Sequence, residues 1–178
     1  MNYFRKMCGC GTNGFCVNFR ETFWSFLGSL AGITAVGALN AVLLDQTGAM
    51  LLIGSFGASA VLLYGAPTAP LSQPRNLLGG HVLSALVGVA CAAHLGHVPW
   101  LAAGLAVSTA IALMHLTGTL HPPGGATALI AVIGGEPVRA LGYLYALVPA
   151  LAGALVLLAV ALLVNNIPKT RQYPVYWY

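Results

Sequence analysis

Apolar residues run almost unbroken through this chain, and short polar clusters cut the run into segments. The apolar stretches lie at Phe23–Leu44, Gly48–Ala66, Leu77–Leu95, Val98–Thr117, His121–Gly135 and Ala140–Val164. Each is about 15–25 residues long, close to the ~20 that carry a helix across a bilayer's hydrocarbon core. The connections are short: Asp45 to Thr47, the polar loop Pro67 to Asn76, Gly96-His97, and the Glu136-Pro137-Val138-Arg139 turn. The pattern predicts an all-α, polytopic membrane bundle of about six segments. The second and fifth segments are weakened near their middles by Gly or Pro, whereas the others read as continuous helices.

The sharpest interruption is His121-Pro122-Pro123-Gly124-Gly125-Ala126-Thr127-Ala128. Pro and Gly are the residues least suited to a helix interior. Irregular backbone at membrane depth survives only where protein buries it or it lines a cavity. Gly57-Ala58-Ser59-Ala60 and Gly125-Ala126-Thr127-Ala128 also align, each within the weak middle segment of a three-segment half, and each is followed by a turn bearing Pro and Arg. The expectation is two three-segment repeats, inverted relative to one another, with broken second and fifth segments. Paired broken segments in corresponding positions point to a transporter site.

Composition strengthens the membrane reading. The chain has 178 residues, 58% hydrophobic and 6% charged, against about 25% charged in soluble domains. The net charge is +4, and no basic face forms, so nucleic acid is not expected as a partner. With both tails on one side, Arg5, Lys6, Arg20, Arg75, Lys169 and Arg171 share that side and Arg139 lies opposite, as the positive-inside rule favours. Both termini are therefore expected in the cytoplasm, with the protein in a bacterial inner membrane or its equivalent. A four-span alternative, with segments two and five re-entrant, would move Arg75 to the other side. The domain reading is an N-terminal tail at 1–22, a transmembrane domain at 23–167 and a C-terminal tail at 168–178. The N-tail lacks an apolar h-region, so the first span is expected to act as the targeting signal. Cys8, Cys10 and Cys16 in that tail match no standard zinc spacing and read as reduced thiols.

The candidate chemistry lies at the breaks. A half-helix starting inside the membrane presents free N–H groups and about +0.5 charge, which suits an anion. Gly124-Gly125 is expected to open one such half-helix, and Ser55-Phe56-Gly57 to open or kink the other. Ser55, Ser59 and Thr127 add hydroxyls, and His121 adds a donor or a proton. The candidate binding residues are thus Ser55, Gly57, Ser59, His121, Pro122, Pro123, Gly124, Gly125 and Thr127. Arg75, Asn76 and His81 are candidates for a path or mouth. The plainer reading is a set of kinks and small-residue packing faces. His94 and His97 have spacing that suits a metal but read as interfacial, and neither metal nor cofactor is expected. No catalytic set is apparent, so the chain is not expected to be an enzyme. Glu21, Asp45 and Glu136 all sit near segment ends, which leaves passive movement, or coupling through histidine or through protonation of the anion.

His121-Pro122-Pro123-Gly124-Gly125-Ala126-Thr127-Ala128-Leu129 resembles the signature of the HPP family of integral membrane proteins. So do Gly54-Ser55-Phe56-Gly57-Ala58-Ser59-Ala60-Val61-Leu62-Leu63, Ala69-Pro70-Leu71-Ser72-Gln73-Pro74-Arg75-Asn76 and Gly79-Gly80-His81. The resemblance covers roughly residues 23 to 165. Members are usually described with four or five spans, fewer than the six segments that the apolar pattern predicts. Plant and cyanobacterial members are associated with nitrite transport, so the resemblance implies a carrier or channel for a small inorganic anion, nitrite first. A second reading is a non-transport subunit docking onto a larger membrane complex through the aromatic end Tyr173-Pro174-Val175-Tyr176-Trp177-Tyr178, which also reads as an interfacial belt. An intramembrane enzyme using the histidines is a third. The 22 glycines permit close helix packing and hence homo-oligomers.

Overall fold

The computed structural model describes residues 18–43 and 51–178. Cys8, Cys10 and Cys16, with Arg5, Lys6 and Asp45, lie outside the described residues. The order is α1 (Phe19–Leu43), α2 (Ser55–Ala60, prolonged by a wide π turn over Val61–Gly65), a 3-10 turn (Pro70–Ser72), α3 (Pro74–Leu95), α4 (Pro99–Thr117), α5 (Pro122–Ile133), α6 (Gly135–Leu141) and α7 (Ala152–Val164). The described residues contain no strand. Among the described residues four helical stretches, Phe19–Val42, Pro74–Leu95, Pro99–Thr117 and the bent Gly135–Val164, are long and apolar enough to cross a membrane, and two apolar helices, Ser55–Gly65 and Pro122–Ile133, are shorter. At 1.5 Å per residue each short helix spans about 16–18 Å, roughly half the hydrocarbon thickness.

Proline starts helices here. Pro74, Pro99 and Pro122 open α3, α4 and α5, where the missing N–H would have lacked a helical partner anyway. The residues before them, Gln73, Val98 and His121, are non-helical, as a following proline demands. The His-Pro-Pro run therefore does not interrupt a helix. α4 ends three residues earlier at Gly118, whose φ of 64° lies in the left-handed region. There the N–H groups of Gly118 and Thr119 close onto the carbonyls of His115 and Met114 at 3.3 and 2.9 Å, a glycine-capped end.

The apolar segments alternate in direction. Arg171 joins the start of α1, the end of the π turn and the end of α7, donating to the carbonyls of Glu21 and Tyr64 and to Asn165 Oδ1. At the same end of the molecule Tyr173 Oη donates to the Ser72 carbonyl, Arg75 to the Thr117 carbonyl and His121 to the Leu71 carbonyl. Thus α1, α3 and α5 leave this end, and α2, α4 and α7 return to it. The Arg75 turn shares its end with the start of α1 and with the C-terminal segment, as the six-segment arrangement requires and the re-entrant one does not.

Two expectations need correction. The sixth segment is not a continuous helix: Gly142 has a φ of 50°, and Val148 is extended at φ −132° and ψ 114° ahead of Pro149. A residue before proline is pushed out of the helical region. Nor do residues 168–178 form a free tail. Arg171 is 8% exposed and Tyr173 2%, and Val175 N–H donates to Gln73 Oε1 at 2.9 Å.

The centre is held by close backbone packing. Gly80, Ser84 and Gly88 line one face of α3 at four-residue spacing and are buried. A Cβ at Gly88 would lie 2.5 Å from the Ala128 carbonyl oxygen, and one at Gly124 would lie 2.8 Å from that of Gly80. Only small residues let α5 approach α3 so closely. Ala102, Ala106 and Ala110 give α4 the same kind of face.

Candidate functional site

α2 and α5 lie side by side and antiparallel, because Ser55 pairs with Thr127 and Ser59 with His121. His81, two turns into α3, fills the space between them. Ser55, Ser59, His81, His121 and Thr127 are all 0% exposed. Their contacts form one continuous chain. Ser55 Oγ lies 2.9 Å from Thr127 Oγ1, and Thr127 Oγ1 lies 2.7 Å from His81 Nδ1. His81 Nε2 lies 2.8 Å from Ser59 Oγ, which lies 3.0 Å from His121 Nε2. His121 Nδ1 ends the chain 2.8 Å from the Leu71 carbonyl.

That last contact fixes the protons. A carbonyl only accepts, so His121 carries its hydrogen on Nδ1, and its neutral Nε2 must accept from Ser59. Ser59 has one hydrogen, and the arrangement that pairs both rings directs it to His121 rather than to the Ser55 carbonyl at 3.3 Å, so His81 Nε2 donates to Ser59. His81 Nδ1 is then an acceptor for the Thr127 hydrogen, which also has Ser55 Oγ at 2.9 Å and the Pro123 carbonyl at 3.3 Å within reach. None of the buried side-chain nitrogens and oxygens described lacks a partner. Tyr145 supports the chain from outside, its hydroxyl donating to the Thr127 carbonyl at 3.1 Å. Phe56 packs edge-on against His81 with ring centres 5.2 Å apart.

The structure divides the sequence candidates. Ser55, Ser59, His121 and Thr127 meet in the chain, and His81, expected along a path, is its hub. The signal for His81 was the preceding Gly79-Gly80: a Cβ at Gly80 would lie 2.5 Å from His121 Cβ. Gly57 points away; a Cβ there would meet nothing within 4 Å, and it borders a groove of about 460 Å³ between α1 and α2. Pro122 and Gly125 border an apolar groove against α4. Pro123 is buried, and its carbonyl faces Thr127 Oγ1 at 3.3 Å. Gly124 is a packing residue against Gly80, Ser84 and Met114. Arg75 donates to the Thr117 carbonyl at 2.6 Å and Asn76 to that of Leu120 at 2.8 Å, so both tie down the α4–α5 turn.

The amide end of α5 differs from expectation. The helix opens at Pro122 rather than at Gly124. Pro122 and Pro123 have no N–H to offer, and the Gly124 N–H donates to the His121 carbonyl at 2.8 Å. Moreover, antiparallel packing sets the two helix starts at opposite ends of the polar chain instead of at one point. Donors for a ligand therefore come from side chains. The chain sits off centre too: seven residues separate Pro74 from His81 on α3, about 10 Å of rise from the end that carries the C-terminal segment.

Arg171, Asn165, Gln73 and Tyr145 carried no local sequence signal, and each acts through a distant partner. No group of metal-ligating His, Cys, Asp and Glu forms among the described residues. His94 and His97 are exposed at the far end of α3.

Comparison with known proteins gives the chain its relatives. The family described as HPP, transmembrane region, matches residues 15–174. Two curated proteins of Dictyostelium discoideum, each named only as a transmembrane protein, are 43% identical over the whole of this chain. The chain spans 58% of the length of one and 64% of the other. Both lend no support to the bacterial setting expected from the sequence. No solved structure matches.

Proposed function

The chain belongs to the HPP transmembrane family, and on that premise we propose that it is a carrier or channel for a small monovalent anion, bound at the His81–Ser59–His121 junction. The carrying observation is the chemistry of the buried chain. It consists of hydroxyls and imidazoles contributed by α2, α3 and α5, with no carboxylate among them. Such a set offers donors to an anion and no fixed negative charge to a cation. In the closed arrangement the donors satisfy one another. An anion enters by replacing the Ser59 bridge as α2 moves, and the groove beside Gly57 leaves open space along part of the α1–α2 contact.

Nitrite is the proposed substrate, on what the family resemblance implies. We place the end bearing Arg20, Arg75, Lys169 and Arg171 in the cytoplasm, since Arg139 lies at the other end beside Val89 and Ala92. For the alternative, a subunit docking onto a larger membrane complex, Tyr173 is taken up by the Ser72 carbonyl, while Val175, Tyr176, Trp177 and Tyr178 remain exposed.

The test is uptake into proteoliposomes across nitrite, nitrate, formate and chloride. Selective anion flux is expected, with His81→Asn and His121→Asn each lowering it by about 10–100-fold, the value of one or two hydrogen bonds to a charged ligand. Absence of flux for every anion, or wild-type flux in both variants, would refute the site.

A further inference from the structure

The proton assignment of the buried chain carries a consequence for what travels with the anion. We propose that His81, Ser59 and His121 hold one transferable proton, passed between the imidazoles by the Ser59 hydroxyl, and that this proton is the co-substrate of the anion. The relay stands on geometry alone. Only the identity of its passenger rests on the transport reading.

Consider one proton added to the neutral chain at His81 Nδ1. Both His81 nitrogens then donate, to Thr127 Oγ1 and Ser59 Oγ, and the Thr127 hydroxyl donates to Ser55 Oγ at 2.9 Å. Every other hydrogen bond persists. Now the His81 Nε2 hydrogen passes to Ser59 Oγ while the Ser59 hydrogen passes to His121 Nε2. One N–H bond and one O–H bond break, and one of each forms. The charge has moved from His81 to His121, and no atom has shifted beyond hydrogen. The distances of 2.8 and 3.0 Å on the two sides of Ser59 are ordinary hydrogen-bond lengths, and the rings lie 5.0 Å apart. No other side chain links the two Nε2 atoms among the described residues.

The surroundings supply the coupling. The groups facing the two rings are each other, Phe56, Ser55, Ser59 and Thr127, with Tyr145 reaching the Thr127 carbonyl. Arg75 is engaged at the α4 end. Glu21 is paired with Arg171, and Glu136 lies in the first turn of α6. The proton therefore has no fixed counter-charge nearby. A buried imidazolium without a partner is costly, and so is a buried anion without one. Each lowers the cost of the other, which is thermodynamic coupling between two ligands. Proton and anion move together, and the pair carries no net charge through the apolar bundle.

The test has two arms on the full chain. In nanodiscs with 15N-labelled histidine, the neutral protein is expected to show His121 as the Nδ1–H tautomer and His81 as the Nε2–H tautomer. On acidification with nitrite present, both rings are expected to shift together for a single proton taken up. Ser59→Ala abolishes the joint shift, and Ser59→Thr, which keeps the hydroxyl, restores it. The same tautomer at both rings, or two independent protonations unaffected by Ser59→Ala, overturns the relay. The wild-type tautomers decide the question even where Ser59→Ala does not fold. In proteoliposomes, with protein-free vesicles as the control, nitrite uptake is expected to bring protons inward one for one and to ignore an imposed membrane potential. Uptake that moves charge overturns the proton as co-substrate while leaving the transport reading intact. Absence of any flux overturns the transport reading, and the tautomers then still decide the relay.

Discussion

Gly57 and Gly124 lie on α2 and α5, the two helices that share the polar chain, yet a side chain added at each meets different surroundings. A Cβ at Gly57 would meet nothing within 4 Å, whereas one at Gly124 would lie 2.8 Å from a backbone carbonyl and 3.0 Å from Met114 Sδ. Gly57→Ala is therefore expected to raise the melting temperature, since Ala in a helix gains about 0.5–1 kcal/mol over Gly. Gly124→Ala is expected to lower stability by about 1–3 kcal/mol through overpacking. Differential scanning fluorimetry in detergent checks both. Opposite signs are required; two changes of the same sign would mean that α2 and α5 pack alike. The serine bridge is a harsher case. Ser59→Ala strips the partner from two buried ring nitrogens, each worth about 1–3 kcal/mol when left unpaired.

At the scale of elements, α5 shows how the same residues can be read in two ways. Two prolines followed by two glycines look like a broken helix. In the structure the break is a junction: α4 is capped at Gly118, the chain turns, and α5 begins on the prolines. Pro122→Ala should therefore cost only about 0.4–1 kcal/mol, the entropy regained by the unfolded chain, and should leave α5 starting where it does. A collapse of the fold in that variant, seen as lost helical circular dichroism, would contradict the role assigned to Pro122. The prolines were legible in the sequence as helix-hostile. Their true position was not, because an interior break and a helix start use the same residue and differ only in what the preceding turn does. Pro149 teaches the converse. It lies in a run of apolar residues long enough to span, and the positive φ of Gly142 and the extended Val148 show where that segment bends.

At the scale of the molecule, one end is tied shut by residues remote in sequence. Arg171 Nε donates to Glu21 Oε2 at 2.6 Å, and its remaining N–H groups reach the Glu21 and Tyr64 carbonyls, Asn165 Oδ1 and Ser25 Oγ. Burial pushes the Tyr173 phenol above its ordinary pKa, so its hydroxyl stays a donor to Ser72. Arg171→Met is expected to lower stability by about 2–3 kcal/mol, the order of several lost charge-assisted bonds partly screened by water. It is also expected to loosen the Pro70–Ser72 turn that holds His121, which proteolysis of that turn would report. Membrane-impermeant labelling of Arg75→Cys and Thr170→Cys is expected from the same face of the membrane. Labelling from opposite faces would invert the topology.

Composition and the spacing of polar clusters were enough to determine an all-helical membrane protein of several apolar segments, because a bilayer admits few solutions to unsatisfied backbone. Ser55, Ser59, His121 and Thr127 stood out for the same reason, as polar groups where hydrocarbon was expected. Tertiary structure alone decided that His81 is the hub, that the prolines leave no free amide end, and that Arg171 closes the bundle. Those facts depend on which distant residues come within 3 Å of each other, and hydrogen bonding at that range has no periodicity along the chain for a sequence to display.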